Sequence, residues 1–130
     1  MMANEKILKA VKSAAAYLEN SMVALSKKDE SSFAVSLWHA AAELEYALFL
    51  FSVTFQNESD LPKWKPNPEL KKIETGQMLI DVQNLLKDAE KFIVNEKLPD
   101  AYKSAYIARH CILKVQEDLA KKKREALKKK

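Results

Sequence analysis

The sequence predicts an all-α protein, a four-helix antiparallel bundle built from two helical hairpins, and three observations lead to that fold class. The 130 residues include one glycine, Gly76, whereas β-hairpins and bulges depend on glycine at their turns. Four stretches repeat apolar residues every three or four positions, which is the spacing of one face of an α-helix. Polar or proline-containing segments separate these stretches, and the length suits a single core.

The first two predicted helices form one hairpin. An apolar series places the first helix at residues 4–26, and the polar stretch 27–32 ends it. Within that stretch, Asp29 is a residue type that caps the amino end of a helix. The second helix covers residues 33–55 and is apolar on every side from residue 47 onward. Such a helix must be surrounded, so we expect it either to lie centrally or to contact another subunit.

The other two predicted helices form the second hairpin. Residues 56–67 contain two prolines and form the one long loop that the sequence predicts. Asn67 followed by Pro68 is typical of a helix start, although Gly76 allows residues 70–75 to be a separate turn or a bent entry. Pro99 opens the fourth helix, whose apolar period stops after Leu119, and we expect the end of the chain to fray.

A comparison of the two predicted hairpins shows a weak internal similarity. A shift of 71 residues aligns eight identical residues in 41 ungapped positions, among them Asp29 with Asp100 and His39 with His110. A hairpin duplicated about a pseudo-twofold axis would produce this similarity. Chance similarity between two amphipathic hairpins explains it equally well, so both interpretations stay open.

The charge pattern divides the chain into a body and a tail. The chain has a net charge of +4, but residues 121–130 contain seven basic residues and one acid. We therefore predict one helical-bundle domain at residues 1–120 and a basic C-terminal tail at residues 121–130. The basic residues of the tail are candidates for contacting the phosphates of nucleic acid or an anionic membrane surface; a solubilising helix end is the alternative. These candidates are Lys121, Lys122, Lys123, Arg124, Lys128, Lys129 and Lys130.

The composition argues against several classes of chemistry. Phosphate-binding loops and dinucleotide motifs need several glycines close together, and a single cysteine, Cys111, excludes an internal disulfide and a multi-cysteine zinc site. The sequence lacks the Gly-x-Ser-x-Gly motif of serine hydrolases. It also lacks a secretory signal and an apolar run of about 20 residues. We expect a cytoplasmic protein without a membrane span, enzymatic activity, cofactor or metal.

One group of polar residues is a candidate site. His39 and Glu43 lie four residues apart and so share one helical face, and His110 aligns with His39 at the shift of 71. Two imidazoles and a carboxylate could share a proton or hold a transition metal. However, both histidines lie beside the apolar stripe of their helix, where a solvated or locally paired side chain is the ordinary case.

Residues 14–53 resemble the opening hairpin of the HEPN superfamily, the higher eukaryote and prokaryote nucleotide-binding helical bundles. The resemblance is carried by a helix, a short charged break ending in an acid, and an alanine-rich helix around Ala41-Ala42-Glu43. It implies a bundle that often dimerises and that acts on RNA or accompanies nucleotidyltransferases. In that family, four to six residues separate the catalytic arginine from a histidine that follows it. Neither Arg109 nor Arg124 is followed by a histidine at that spacing, so the resemblance does not extend to nuclease activity.

Two functions are therefore predicted. The first is a protein–protein interaction or scaffold module that binds a second copy of itself or another helical protein. Its candidate dimer surface is Phe49, Leu50 and Val53, which lie in the apolar segment of the second helix. The second is an RNA- or nucleotide-associated domain similar to the HEPN bundles, with the basic tail contacting phosphate.

Overall fold

The computed structural model describes residues 2–55 and 75–128 and folds them into four α-helices. The helices are α1 (Met2–Ser26), α2 (Glu30–Phe55), α3 (Thr75–Val94) and α4 (Leu98–Lys128). These two ranges contain no β-strand, so the predicted all-α class is confirmed. The predicted helix start at Asn67 lies outside the described residues. None of the four helices is both long enough and apolar enough to cross a membrane.

The helices pair as two hairpins, α1 with α2 and α3 with α4, and the hairpins meet through α1 against α3 and α2 against α4. The α1–α2 turn lies beside the start of α3 and the end of α4, since Lys28, Gly76 and Lys121 line one cleft. At the opposite end, the ring of Phe51 in α2 packs 5.6 Å from that of Tyr102 in the first turns of α4. Each contacting pair is therefore antiparallel, as predicted.

The connection between the hairpins joins opposite ends of the bundle. Because α2 and α3 both start at the end that holds the α1–α2 turn, they run parallel and occupy diagonal corners. Residues 56–74 therefore link the far end of α2 to the near end of α3. A helix of 20 residues is about 30 Å long. The 20 peptide steps from residue 55 to residue 75 can reach more than twice that distance, so the chain is long enough to connect the two ends.

A single core fills the space between the helices, and the predicted apolar stripes line it. Burying a leucine, isoleucine or phenylalanine side chain stabilises the fold by about 1.5–3 kcal/mol. The largest fully buried apolar side chains are Phe51, Ile7, Leu18, Leu37, Leu44, Leu79, Leu86, Ile112, Val11 and Val82. Leu25, which continues the apolar series of the first predicted helix, is exposed instead of buried, and Ala24 is buried in its place where the chain turns at the end of α1.

Asp29 caps α2 as the sequence predicts. The backbone N–H of Ser32 donates to Asp29 Oδ1 at 3.2 Å, and the Ser32 hydroxyl donates to Oδ2 at 2.8 Å. The first of these bonds satisfies a backbone donor that has no partner within the helix. The second orients the carboxylate, so the start of α2 is stabilised by two side chains that are close in sequence.

Both hairpin turns have the same backbone geometry, and both contain a residue other than glycine in the left-handed region. Lys28 has φ 57° and Glu96 has φ 60°. The next residue after each donates its N–H to the carbonyl five positions earlier, Asp29 to Ala24 at 2.9 Å and Lys97 to Phe92 at 2.7 Å. This pattern is the Schellman motif, which ends a helix and satisfies its last carbonyls.

Equivalent residues of the two turns are 68 residues apart in the sequence. The predicted shift of 71 therefore does not align structurally equivalent positions of the two hairpins. At 68, His39 corresponds to Ile107, and only three residues are identical over the same 41 positions. The burial pattern nevertheless coincides at 68, as expected for any two hairpins with the same turn. Pairs buried in both hairpins include Ala10/Met78, Val11/Leu79, Ala14/Val82, Leu18/Leu86, Phe33/Ala101, Leu37/Ala105, Ala40/Ala108, Leu44/Ile112 and Ala47/Val115. The eight identities therefore align structurally different positions and give no support to duplication.

The basic segment is a continuation of α4. This helix runs without a break from Leu98 to Lys128, whereas we expected the chain to fray beyond residue 120. The boundary at residue 120 therefore marks a change of charge within one helix. Residues 129 and 130 lie outside the described part of the chain.

Candidate interaction surface on the second helix

In the predicted polar site His39, Glu43 and His110, the two histidines make different aromatic contacts. His39 stacks on Tyr17 of α1, with ring centroids 4.9 Å apart and planes inclined by 22°. His110 instead packs against Tyr106 on its own helix, at 4.7 Å. Among the described residues, no group of three or more His, Cys, Asp or Glu side chains is placed to hold a metal ion. The two imidazoles thus belong to separate aromatic contacts.

The surroundings of His110 are aromatic. Tyr106 lies between His110 and Tyr102, whose ring centroid is 6.0 Å from that of Tyr106, and Tyr102 in turn contacts Phe51. Burial raises the pKa of Tyr102, Tyr106 adds to this increase, and Arg109 opposes it. His110 Nε2 is buried without a hydrogen-bond partner. The imidazole of His110 packs against an aromatic ring of its own helix.

Glu45 connects the outer surfaces of α2 and α4. Its carboxylate accepts a hydrogen bond from Arg109 Nε. Glu45 is one of only two charged residues in α2 beyond Glu30, the other being the half-buried Glu43. The ion pair therefore neutralises the more exposed of the two charges in an otherwise uncharged stretch of 25 residues.

The side of α2 that faces away from the bundle is apolar and exposed. Its members follow one another at spacings of three or four, so they form a single helical stripe. The stripe extends over about 27 Å at 1.5 Å per residue, and its valine and aromatic side chains are 48–61% exposed. We name it the α2 outer stripe, and it consists of Val35, Trp38, Ala42, Tyr46, Phe49 and Val53.

The structure divides the predicted dimer surface. Phe49 and Val53 lie on the α2 outer stripe, whereas Leu50 turns toward the bundle and packs against the core. Trp38 and Tyr46 also lie on the stripe and were not predicted from the sequence, although they are as exposed as Phe49 or nearly so. A second apolar series at helical spacing, offset from the core series, was the signal that could have identified them.

Four of the predicted phosphate-binding residues lie in the described part of the basic segment, and the side chains of Lys128, Lys129 and Lys130 lie outside it. Lys121, Lys122, Lys123 and Arg124 are exposed, and consecutive residues on a helix point about 100° apart. The nearby cleft of about 880 Å³ between this segment and the α1–α2 turn has a balanced lining. Four lysines and four acids line it, namely Lys28, Lys114, Lys121, Lys122, Asp29, Glu30, Asp118 and Glu125. The cleft therefore offers no concentrated positive charge.

Comparisons with protein-family models, with curated proteins and with solved structures yield no match to this chain.

Proposed function

We propose that this protein is a helical protein–protein interaction module that acts as a homodimer through the α2 outer stripe. The observation that supports the proposal is the contiguous, exposed and uncharged stripe of three aromatic and three aliphatic side chains. Scattered apolar residues are normal on a protein surface, but a contiguous patch of several hundred Å² marks an interaction site.

The aromatic side chains provide part of the area that association requires. An aromatic side chain buries about 150–250 Å², so three that are each about half exposed offer about 300 Å² per protomer. Standard interfaces bury about 800 Å² per partner, so in the proposed dimer the aliphatic members of the stripe and the residues beside it supply the remainder. Association also costs about 4–15 kcal/mol in lost translational and rotational freedom, so buried area does not convert directly into affinity, and the affinity has to be measured.

Sedimentation velocity across a hundredfold range of protein concentration tests this proposal. We expect the native chain to sediment as a dimer and the variant Phe49→Glu to sediment as a monomer, because the variant places a charge within the apolar contact. Val94→Glu is the matched control, since Val94 is an exposed apolar residue at the end of α3, off the stripe. This control is expected to remain dimeric.

Circular dichroism of the same variants separates association from folding. All three proteins are expected to give the same helical spectrum, because both substituted side chains are exposed in the folded chain. A native chain that is monomeric at every concentration, or a Phe49→Glu variant that dimerises as tightly as the native chain, contradicts the proposal.

A second candidate function is association with RNA or nucleotides, as in the HEPN-like bundles, with the basic end of α4 contacting phosphate. Supporting this candidate is the continuation of α4 through residues 121–128, which presents four exposed basic side chains in succession. Counterion release predicts that the logarithm of the affinity falls with the logarithm of salt concentration by about 0.7 per phosphate contacted in a single strand.

Fluorescence anisotropy with a labelled single-stranded RNA tests the second candidate. We expect deletion of residues 121–130 to weaken binding at least tenfold and to reduce the salt dependence. Substituting Lys6, Lys9 and Lys12 of α1 by glutamine is the control, since it removes exposed positive charge from a distant helix. Equal binding by the deleted and native chains would exclude a role for the basic end.

A further inference from the structure

We propose that the two copies pair through antiparallel α2 helices, with the twofold axis passing between the helices at the level of position 44. This inference rests on the proposed function, because it assigns both the occupant and the direction of the α2 outer stripe. The occupant is a second copy of the same stripe.

When one helix is reversed about position 44, four of the six stripe positions fall opposite stripe positions of the second copy, and the other two fall within one residue of them. In that register Val35 lies opposite Val53 of the second copy, and Trp38 lies within one residue of the position opposite Phe49. A twofold contact requires this reciprocity, since whatever one residue contacts must contact it in return. The aliphatic ends of one stripe therefore meet the aliphatic ends of the other, and the aromatic parts overlap.

The sizes of the central side chains favour the same direction. In the antiparallel register the ring of Tyr46 lies opposite Ala42 of the second copy, so a large side chain faces a small one. A parallel pairing would place Tyr46 against Tyr46 and Ala42 against Ala42, which gives crowding at one level and a gap at the other. Interiors and interfaces with native packing density avoid both.

The charges at the centre of the stripe support a second copy as the partner. Glu45 lies three residues after Ala42 and four before Phe49, so it borders the stripe. An antiparallel pair brings the two Glu45 side chains to the same flank, about 3 Å apart along the axis. Two unpaired carboxylates there would repel each other. Arg109 neutralises Glu45 within each copy, and it thereby permits the pairing.

Cysteine cross-linking determines the direction of the helices. The experiment uses the full chain with Cys111→Ala, so that the introduced cysteine is the sole thiol. In an antiparallel dimer, two residues at position 53 lie about 27 Å apart along the axis, far beyond disulfide reach. We expect Val53→Cys alone and Val35→Cys alone to remain uncross-linked under mild oxidation, whereas an equimolar mixture of the two forms a covalent heterodimer.

A charge variant tests the role of Arg109. We expect Arg109→Gln to raise the dimer dissociation constant at least tenfold and the double variant Glu45→Gln/Arg109→Gln to restore it. Lys114→Gln is the matched control, because it breaks another ion pair of α4, with Asp118 at 3.4 Å; it should dimerise as the native chain does.

The outcomes distinguish this inference from the proposed function. Self-cross-linking of Val53→Cys in a chain that sediments as a dimer overturns the antiparallel arrangement and leaves the dimer intact. Native affinity in Arg109→Gln overturns the role of neutralised Glu45. A chain that sediments only as a monomer overturns the inference together with the proposed function.

Discussion

Arg109 of α4 donates a hydrogen bond from its Nε to the carboxylate of Glu45 in α2, across 64 residues of sequence. The pair joins the two hairpins on the outside of the bundle. Its side chains are 30% and 52% exposed, so water and salt screen the attraction between the charges.

The first prediction concerns the strength of this ion pair. A double-mutant cycle with Arg109→Ala and Glu45→Ala should give a coupling free energy below about 1 kcal/mol, decreasing as salt is raised. Urea denaturation in the Phe49→Glu background measures it without a contribution from dimerisation. A coupling above about 2 kcal/mol that is insensitive to salt would show that the pair is far less screened than its exposure indicates.

The second prediction concerns the pH dependence of the α2 cap. The hydrogen bond from the Ser32 hydroxyl, then that from the Ser32 N–H, lowers the pKa of Asp29 below its ordinary 3.8, and nearby Lys27 adds to the effect while desolvation opposes it. Because the pKa is lower in the folded chain, the charged cap stabilises the fold above about pH 4. That stabilisation is lost as the pH falls through the folded pKa.

Thermal unfolding between pH 2 and pH 7 checks the cap. Asp29→Asn keeps a capping side chain but cannot ionise, so the native chain should melt at a higher temperature than this variant at pH 7 and at the same temperature near pH 2. Ser32→Ala removes the hydroxyl that donates to Asp29. It should therefore reduce the amount by which the melting temperature falls between pH 7 and pH 2. A constant difference between native and Asp29→Asn chains across the whole range would contradict the assignment.

The third prediction concerns the two Schellman turns. A side chain in the left-handed region costs about 1–2 kcal/mol, and glycine adopts it freely at an entropic cost of about 0.5–1 kcal/mol. Lys28→Gly and Glu96→Gly should therefore each raise the melting temperature by about 2–5 °C. The turns lie at opposite ends of the bundle, so the two gains should add.

Neighbouring residues provide the control for the turn variants. Lys27→Gly and Asn95→Gly alter the residue just before each turn, where φ is not positive. They should lower the melting temperature, because glycine there brings only the entropic cost. Stabilisation by these control variants, or destabilisation by Lys28→Gly, would show that φ does not determine the outcome.

The fourth prediction concerns the single thiol. Cys111 is buried, and its burial raises the pKa, with the carboxylate of Asp81 adding to the increase. Since the thiolate is the reactive form, the folded protein at pH 8 should react with Ellman's reagent at least tenfold more slowly than the same chain in urea. Equal rates would show that the thiol is accessible in the folded chain.

The sequence was sufficient for the helices and for the local cap because both depend on nearby residues. Apolar residues at helical spacing predicted the inward faces, including Leu44 and Leu86, and these are buried. Asp29 was predictable because it bonds to a backbone group three residues away. The end of each helix was harder to predict, because Lys28 and Glu96 occupy positions at which glycine is the usual signal.

The structural alignment of the two hairpins could not be obtained from residue identities. Identities favoured a shift of 71, which paired His39 with His110 and suggested a joint polar site. Backbone hydrogen bonds at the turns give 68, and the two histidines occupy different environments. The register of a hairpin depends on where the chain reverses, and backbone geometry decides that point.

By itself, the sequence determined an all-α chain of four amphipathic helices and an α2 too apolar to be solvated on every side, because helical periodicity is a local property. Only the tertiary structure decided which side of α2 faces outward. Packing of α1 and α4 against α2 turns Leu50 inward and leaves Trp38, Tyr46 and Phe49 exposed. Contacts between helices distant in sequence make that choice, and they exist only once the bundle has formed.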